Sequence, residues 1–352
     1  MKTRTLDTLH GRITLRSATW WCPDCRTLHA PTWAPLALPP GTFTWAVVER
    51  AAYLGGVLPS FERAAAGLAY LAQIQMSARE LELCTEGLGA AYTLPEPAPG
   101  MHGPAADVLY VEADAVQLHF RDVMPWHEEK IFCVWRQTGE TLHPPRYWTG
   151  EGPWDSHLAD LQTLAEAEGL LTAQVVVSVG DGAPALWTLL TALARDAVQI
   201  LDWYHVQEHL ATVAILLQEG ETWHHIQRIH LRDGQSRRVL QELGTLTRHA
   251  ESPAVREAAR ACFGYLWRHR TRLDYATARM RGYPIGSGRI ESAGKLVIQQ
   301  RCKGPGMRWE HGQVNAVLHA RCAWFNDDWS RACKLWRATT RFAAPQEVKA
   351  AA

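Results

Sequence analysis

A single acidic residue among several basic ones is the first chemical signal in this sequence. The stretch from Tyr283 to Trp309 reads YPIGSGRIESAGKLVIQQRCKGPGMRW, and Glu291 is its one acid. Five cations share the stretch: Arg289, Lys295, Arg301, Lys303 and Arg308. A carboxylate can hold a divalent cation while basic residues hold phosphates, so the pattern suits a metal-assisted phosphodiester enzyme that grips DNA with these cations. A loop followed by a basic surface helix is the plainer alternative.

The local sequence also predicts where Glu291 lies. Pro284 and the Gly286-Ser287-Gly288 turn end the preceding element, and Ser287 can cap a new helix. ESAGKLVIQQR continues with helical spacing. The sequence therefore predicts Glu291 in the first turn of a helix.

Two further acids follow predicted strands. Asp114 lies on or just after the strand VLYVEADAV, and Asp181 directly follows the apolar run VVVSVG. Ligands bind at the carboxyl ends of such strands, where small neighbours let a metal and a phosphate come close. With Glu291 these acids could form a cage of oxygen ligands for Mg²⁺ or Mn²⁺. Each Asp taken singly could equally be a turn residue.

The pattern beyond residue 107 is that of an α/β domain. VLYVEADAVQLHF predicts a strand or a hairpin, KIFCVWRQ predicts a second strand, and LHPPRYWT predicts a third, weakened by its two prolines. AQVVVSV and AVQILDW predict two buried strands. Helical spacing covers Asp155 to Gly169 and Ala183 to Ala194. The order strand, strand, strand, helix, strand, helix, strand predicts a mixed sheet with helices on its faces.

Composition sets the broad class. The chain has 352 residues, 47% of them hydrophobic, so it can bury a large core over more than one domain. It has no apolar run long enough for a membrane span and no signal-peptide core, which predicts a cytoplasmic protein whose eight Cys are reduced thiols or metal ligands. The net charge is zero, yet Arg279 to Trp309 has seven Lys and Arg against one acid.

The N-terminal part carries two modest signals. Strand-like alternation leads into Cys22-Pro-Asp-Cys25, which suggests a zinc knuckle with His10 and His29 nearby; two free buried thiols are the alternative. Thr44 to Gly89 is helical in pattern, and a break before Ser77, a predicted N-cap, permits a helix-turn-helix or a plain bundle.

Together these segments resemble a DDE-type transposase of a bacterial insertion sequence, with an RNase H-like core and a helical insertion before the final Glu. The resemblance rests on VLYVEADAV, VVVSVGDGAPALW, ILDWYHVQEHL, the block from RLDYATARM to RCKGPGMRW, and RSATWWCPDC. It implies that Asp114, Asp181 and Glu291 are the catalytic, Mg²⁺-binding acids. It also implies cleavage and joining of element ends, DNA as partner, a homo-oligomer and a nucleoid-associated location.

The resemblance predicts a division of the chain. The expected parts are a partial zinc ribbon (1–35), a helical DNA-binding domain (36–93), a linker (94–107), the first part of the catalytic core (108–203), a helical insertion (204–279), the helical end of the core with the third acid (280–340) and a tail (341–352).

Asp202 and His205 match the acid-x-x-His signature that related transposases carry after the second acid. The resemblance associates it with the active site or with the handling of transposon ends. A strand-end Asp that caps the next helix, with His205 packed beneath it, is the alternative.

Two departures from the family pattern are visible. Ala115 follows the first acid where the family usually has Gly, and the first CxxC that often precedes Cys22 is missing, which predicts an upstream start or a decayed N-terminal module.

Two other functions compete. His205-Val-Gln-Glu208-His209 matches the H-x-x-E-H motif of zinc proteases, with Glu219, Glu221 or Glu242 as candidates for the third ligand. A non-catalytic, DNA-binding relative of a transposase is the other. The protease leaves Asp114, Asp181 and the segment around Glu291 without a role.

Overall fold

The structure is a computed structural model that describes residues 1–29, 36–95 and 103–342. The predicted linker and the predicted tail therefore lie partly outside the described residues. The described residues form a mixed α/β protein. No helix among them combines the length and the apolar character needed to cross a membrane.

The N-terminal part begins with strands and continues with helices. Its elements are β1 (Lys2–Thr8), β2 (Gly11–Ser17), β3 (Trp20–Cys22), β4 (Thr27–His29), α1 (Trp45–Val57), α2 (Phe61–Ala72) and α3 (Ala78–Ala91). Ser77 caps α3 as predicted: its side chain accepts from the Glu80 backbone N–H, and the Glu80 carboxylate accepts from the Ser77 N–H. This capping box explains why α3 begins where the sequence placed it.

The central sheet has the predicted order of strands. Its strands are β5 (Val108–His119), β6 (Trp126–Thr138), β7 (Thr141–Leu142), β8 (Arg146–Glu151), β9 (Val175–Gly180) and β10 (Val198–Leu201). β5, β9 and β10 are parallel neighbours, whereas β7 and β8 pair antiparallel with β6, so the predicted mixed sheet is confirmed. The third strand begins only after the two prolines, which cannot donate to a ladder.

Helices cover this sheet and fill the segment between the second and third acids. They are α4 (Leu158–Ala167), α5 (Pro184–Leu193), α6 (Trp203–Ala214), α7 (Gly220–Arg232), α8 (Ser236–His249), α9 (Pro253–Arg268) and α10 (Tyr275–Met280). Leu161 and Leu164 of α4 and Leu186 and Leu190 of α5 are fully buried. Burial on both faces accounts for the apolar runs in the strands.

The C-terminal part is mostly helical. It consists of α11 (Gly288–Ala293), a π-helical turn (Gly294–Gln299), α12 (Gln300–Cys302), α13 (Gln313–Phe325) and α14 (Trp329–Phe342). α3 and α13 approach at backbone distance, since a Cβ added to Gly89 would lie 1.7 Å from the Ala316 carbonyl oxygen. Only glycine fits this crossing.

The contacts divide the chain differently from the prediction. One unit combines Met1–Thr93, Gln117–His127 and the chain from Leu296 onward; the other comprises the described parts of Leu94–Val116 and Glu128–Lys295. Residues 280–340 were expected to stay with the catalytic core, but α13 and α14 pack on α1 and α3. Their apolar faces are buried there, which the sequence alone does not reveal.

Candidate active site at the carboxyl edge of the sheet

Three aspartates follow the same edge of the parallel strands. In the ladder, Glu112 of β5 is opposite Val179 of β9, and Leu201 of β10 is opposite Gly180. Continuing these registers by one or two residues brings Asp114, Asp181 and Asp202 into one row. The carboxyl ends of parallel strands form the usual ligand-binding edge of an open α/β sheet.

The third acid approaches the same face of β5. Asp114 lies between Glu112 and Val116 in the alternation of that strand. The Ile290 backbone N–H donates to the Glu112 carboxylate at 3.0 Å, and a Cβ added to Gly294 would lie 3.3 Å from the Val116 side chain. Ile290 and Gly294 flank Glu291 along the chain, and both approach this face of β5. Asp114 and Glu291 therefore lie on the same side of the strand.

The charges of Asp181 and Glu291 affect the protonation of Asp114. Burial raises the pKa of Asp114, and the negative charges of Asp181 and Glu291 raise it further, although the Ala115 N–H and His205 oppose the rise. The Ala115 N–H donates to Asp114 at 2.7 Å. Like charges held together favour proton uptake or a shared cation. The ligand atoms of the three acids do not all lie within 4.8 Å of one another, as those of two other groups of described residues do.

The loop after β9 fixes Asp181. The Ala183 N–H donates to the Asp181 carboxylate at 2.9 Å, and the Tyr265 hydroxyl donates to the Asp181 carbonyl at 2.6 Å. Gly182 has φ +100°, and a Cβ there would lie 2.8 Å from the Tyr265 ring and 3.1 Å from His269 Nε2. A residue larger than glycine would therefore disturb the acid directly before it.

Asp202 is a fully buried acid whose carboxylate accepts several hydrogen bonds. It accepts hydrogen bonds from the Tyr204 N–H at 2.5 Å, from the Ser287 N–H at 3.2 Å and from the Ser287 hydroxyl, and it lies 3.5 Å from His205 Nδ1. Burial raises its pKa, but the bonds from His205, Ser287 and Tyr204 outweigh this and lower it. The same pairing with Asp202 raises the pKa of His205 to about 9.

These contacts decide two expectations from the sequence. Asp202 caps α6 through the Tyr204 N–H, as the structural alternative predicted, and it also joins the end of β10 to the segment before Glu291. Ser287 is the N-cap residue of α11, as predicted, but its side chain makes no capping hydrogen bond. Its hydroxyl donates to the buried Asp202 carboxylate, which needs partners, and the Ile290 N–H of the first turn donates to Glu112 instead.

Glu291 lies in the first turn of α11, as predicted. Its side chain is 43% exposed and lies 3.9 Å from the ammonium of Lys295 one turn later. The helix continues as a π-helical turn over Gly294–Gln299, a geometry that often marks functional sites. Glu291 is therefore held on a short helix and remains accessible.

Sequence reasoning missed Glu112. This side chain is 1% exposed, and its second carboxylate oxygen has no hydrogen-bond partner. Burial, with the charges of Asp202 and Glu291, raises its pKa to about 8 despite the Ile290 N–H and Arg289. The signal was an acid at a buried position of an otherwise apolar strand.

One predicted DNA-binding residue cannot have that role. Arg301 is 1% exposed, its Nε donates to the Gly55 carbonyl at 2.9 Å, and its guanidinium lies 4.2 Å from the Phe61 ring. It is bound inside its own unit, where it satisfies the end of α1. The prediction that it grips DNA is therefore wrong.

The other predicted cations are exposed. Arg289 lies 4.8 Å above the ring of the buried Trp135, Lys295 is near Glu291 as described, and Lys303 and Arg308 follow α12. They remain available to a polyanion.

The N-terminal cysteines form one of the two compact ligand groups. Cys22, Cys25 and His29, at the ends of β3 and β4, have their ligand atoms within 4.8 Å of one another. Cys25 Sγ is 2.8 Å from Thr27 Oγ1 and 3.2 Å from His29 Nε2, and the bonds from Thr27, His29 and Cys22 lower its pKa to about 6. Cys25 is exposed and Cys22 is half-buried, so the alternative of two buried thiols is wrong.

The two histidines of the H-x-x-E-H motif have partners other than a metal ligand set. His205 pairs with Asp202, and the ring of His209 stacks on that of Tyr265 with centroids 3.9 Å apart. Among the described residues, neither His belongs to a group of three ligand atoms within 4.8 Å of one another. The geometry does not support a protease zinc site.

No family model and no curated protein matches this chain. Among solved structures it is similar to a crystal structure of NurA with manganese, at 10% sequence identity and a TM-score of 0.15. The match covers 72% of this chain and 60% of that one. A likeness this weak carries no argument about fold or activity.

Proposed function

We propose that this protein is a DDE-type DNA transposase that cleaves and transfers strands at the ends of an insertion sequence. The observation that carries the proposal is the approach of Asp114, Asp181 and Glu291 to one edge of the sheet, where burial and then the charges of Asp181 and Glu291 raise the pKa of Asp114. Acids brought together from distant parts of a sequence favour function over ordinary turns.

The sheet supports an RNase H-like core. The first strand, β5, is central; β6 and then β8 lie on one side, and β9 and then β10 lie on the other. In this core the first acid comes from the central strand, the second follows the neighbouring parallel strand, and the third comes from a later helix.

The residues present fit a magnesium or manganese site. Asp114, Asp181 and Glu291 would hold the cation, since carboxylate oxygens are the ligands that these ions prefer. When bound, such ions activate a water or a 3′-hydroxyl and stabilise the leaving oxygen. The mutual repulsion that raises the pKa of Asp114 also gives the site its affinity for a cation.

Asp202 acts as a positioning residue in this proposal. It is fully buried, so it does not reach a substrate, but its bonds to Ser287 hold the start of the helix that carries Glu291. His205, with a pKa of about 9, is protonated at neutral pH and places a positive charge beside the acids. That charge favours a phosphate group over a neutral ligand.

Exposed cations would hold the DNA backbone. Arg289 and Lys295 belong to the same unit as the acids, and Lys303 and Arg308 belong to the other. Sequence-independent phosphate contacts of this kind make binding fall steeply with salt. Two element ends must be held at once, so a homo-oligomer is part of the proposal.

The test compares the purified protein with its Glu291→Ala variant on a duplex that carries the ends flanking the gene. We expect nicking at the element end that needs Mg²⁺ or Mn²⁺ and is lost in Glu291→Ala. Glu257→Ala is the matched control, because Glu257 is an exposed acid on α9 that forms an ion pair with Arg260 of the same helix.

The outcomes separate the alternatives. End binding without cleavage by the wild-type protein would indicate a catalytically decayed, DNA-binding relative. Loss of both, with zinc bound at His205 and His209, would overturn the transposase and favour the protease. Cleavage by Glu291→Ala at the wild-type rate would remove the third acid from the site.

A further inference from the structure

A second compact ligand group lies apart from the acidic edge. Asp122, at the tip between β5 and β6, His127, at the start of β6, and His311, before α13, have their ligand atoms within 4.8 Å of one another. All three residues belong to the unit that contains the N-terminal helices. The proposed catalysis uses none of them.

The geometry of this group is convergent. Nε2 of His127 and Nε2 of His311 lie 2.7 Å and 2.8 Å from the same carboxylate oxygen, Oδ2 of Asp122. The ring of Phe120 packs on both, stacked on His311 at 4.6 Å and edge-on to His127 at 5.2 Å. Two imidazoles aimed at one point, with an aromatic ring that limits their rotation, are a prearranged ligand set.

The group joins two segments that are far apart in sequence. The Trp309 N–H donates to the His119 carbonyl at 2.9 Å, and the Arg121 N–H donates to the Trp309 carbonyl at 3.0 Å. The Trp309 indole N–H closes the loop onto the Cys302 carbonyl at 3.0 Å. The loop between Cys302 and Trp309 is therefore attached to the hairpin tip, and His311 follows directly.

We propose that Asp122, His127 and His311 bind a zinc ion that fastens the hairpin tip to the loop carrying Lys303 and Arg308. Two neutral imidazoles and one carboxylate, with water in the fourth position, are a usual zinc ligand set. Adjacent ligands of a tetrahedral zinc lie about 3.3 Å apart, so the observed convergence needs only small side-chain movements. Mg²⁺ and Ca²⁺ prefer all-oxygen ligands and fit this set poorly.

Zinc binding would exchange protons for the metal at this site. Both Nε2 atoms lie within hydrogen-bond distance of the same carboxylate oxygen, so each bond holds a proton, which must leave or move to Nδ1 before that nitrogen binds zinc. The metal then replaces two hydrogen bonds near solvent with coordinate bonds. We expect the basic loop to become more ordered as a result.

The first experiment counts metal in the full chain. Protein stripped with EDTA and dialysed against excess Zn²⁺ should lose about one equivalent of zinc on His311→Ala and on Asp122→Asn. His249→Ala is the control, because His249 is exposed and outside the group. Zinc content is to be compared in the Cys22→Ser/Cys25→Ser background, so that the thiol group cannot supply the signal.

Cobalt gives a second readout in the same variants. Co²⁺ at Asp122, His127 and His311 should show visible d–d absorption without the near-ultraviolet band of thiolate ligands, and excess Mg²⁺ should not displace it. The same zinc content and cobalt spectrum in His311→Ala and in its parent would overturn the proposal. Circular dichroism separates a lost site from a lost fold, and Asp122→Asn offers a nearly isosteric second variant.

Proteolysis tests the consequence for the loop. Trypsin cleaves after Lys303 and Arg308, and Zn²⁺ should slow these cleavages several-fold in the Cys22→Ser/Cys25→Ser protein but not after adding His311→Ala. Equal cleavage with and without zinc, in protein shown to hold the metal, would contradict the fastening role. These measurements need no DNA cleavage, so their failure is distinguishable from failure of the proposed transposase.

Discussion

The acidic edge and the two ligand groups that contain histidine, all three proposed metal sites, differ in how their ligand atoms are held. Asp114, Asp181 and Glu291 repel one another, and their ligand atoms do not all lie within 4.8 Å of one another. In the groups of Cys22, Cys25 and His29 and of Asp122, His127 and His311, a proton can be shared between ligands, so hydrogen bonds draw them together. A compact cluster of ligand atoms therefore indicates a shared proton first, and carboxylates that are not clustered in this way can still form a metal site.

The strongest way to break this comparison is to remove one charge from the acidic edge. Asp114→Asn should lower metal-dependent cleavage about 10³-fold or more, which corresponds to about 4 kcal/mol of transition-state stabilisation. The same change should raise the unfolding temperature in EDTA, because it removes repulsion and a buried charge. Thermal unfolding with and without Mg²⁺ measures both effects.

Asp196→Asn is the matched control for this variant. Asp196 is exposed and precedes β10, outside the row of acids. It should change neither cleavage nor stability. An Asp114→Asn protein that still cleaves, or that is less stable than wild type in EDTA, would show that Asp114 is a structural strand residue.

Glu112 differs from the three acids of the proposed site because its buried carboxyl group is protonated at neutral pH. Its pKa of about 8 exceeds the ordinary 4.5, so the folded protein binds this proton more tightly than the unfolded chain does. The free energy of unfolding should therefore fall, by on the order of a few kcal/mol, as the pH rises from about 4.5 to 8. Urea unfolding across this range should show a flatter dependence for Glu112→Gln.

Glu112→Ala separates charge from hydrogen bonding. It leaves the Ile290 N–H without its acceptor, which costs about 1–3 kcal/mol, whereas Glu112→Gln keeps an acceptor. Equal pH dependence in wild type and Glu112→Gln would mean that the carboxyl ionises freely in the folded state.

The acidic edge could be predicted because its signals are local. A continuous apolar run that ends in Gly180-Asp181 fixes both the buried strand and the place where it stops, and a capping box at Ser77 marks a helix start. The order of strands and helices along the chain also predicts a mixed sheet, although it does not predict that β5 is the central strand. The local sequence pattern is sufficient to place a residue when its position depends only on where one strand or helix begins or ends.

Residues whose role depends on distant partners could not be predicted in this way. Arg301 has the spacing of a basic surface helix, yet it is buried because α1 ends against it. Ser287 looks like a cap, but the buried Asp202, 85 residues away, takes its hydroxyl. His127 and His311 carry no local signal, since backbone pairing around Trp309 alone brings them together.

Pairing with Asp202 keeps His205 protonated, which places one positive charge at the acidic edge. Asp202→Asn should lower the pKa of His205 from about 9 toward its ordinary 6.5, visible by NMR. The raised pKa of His205 contributes stability that is lost as the pH rises through about 9, and the lowered pKa of Asp202 contributes stability that is lost in acid. His205 is 42% exposed, so screening reduces this contribution to roughly 1 kcal/mol.

His225→Gln is the control for this titration, because it removes an exposed His of α7 and should leave the His205 resonance unchanged. A His205 that titrates identically in wild type and Asp202→Asn would mean that the 3.5 Å approach is not an ion pair in solution. The positive charge beside the acids would then be absent at neutral pH.

The smallest expected effect concerns the ligand group of Cys22, Cys25 and His29. Hydrogen bonds from Thr27, His29 and Cys22 lower the pKa of Cys25 to about 6, so at neutral pH this exposed residue is mostly thiolate. Iodoacetamide should modify one thiol rapidly near neutral pH, with the rate falling below about pH 6, and Cys25→Ser should abolish that phase. Added Zn²⁺ should suppress it, because the ion takes the same thiolate that His29 stabilises. Suppression that persists in His29→Ala would remove His29 from the proposed ligand set, whereas loss of suppression in that variant would support its place there.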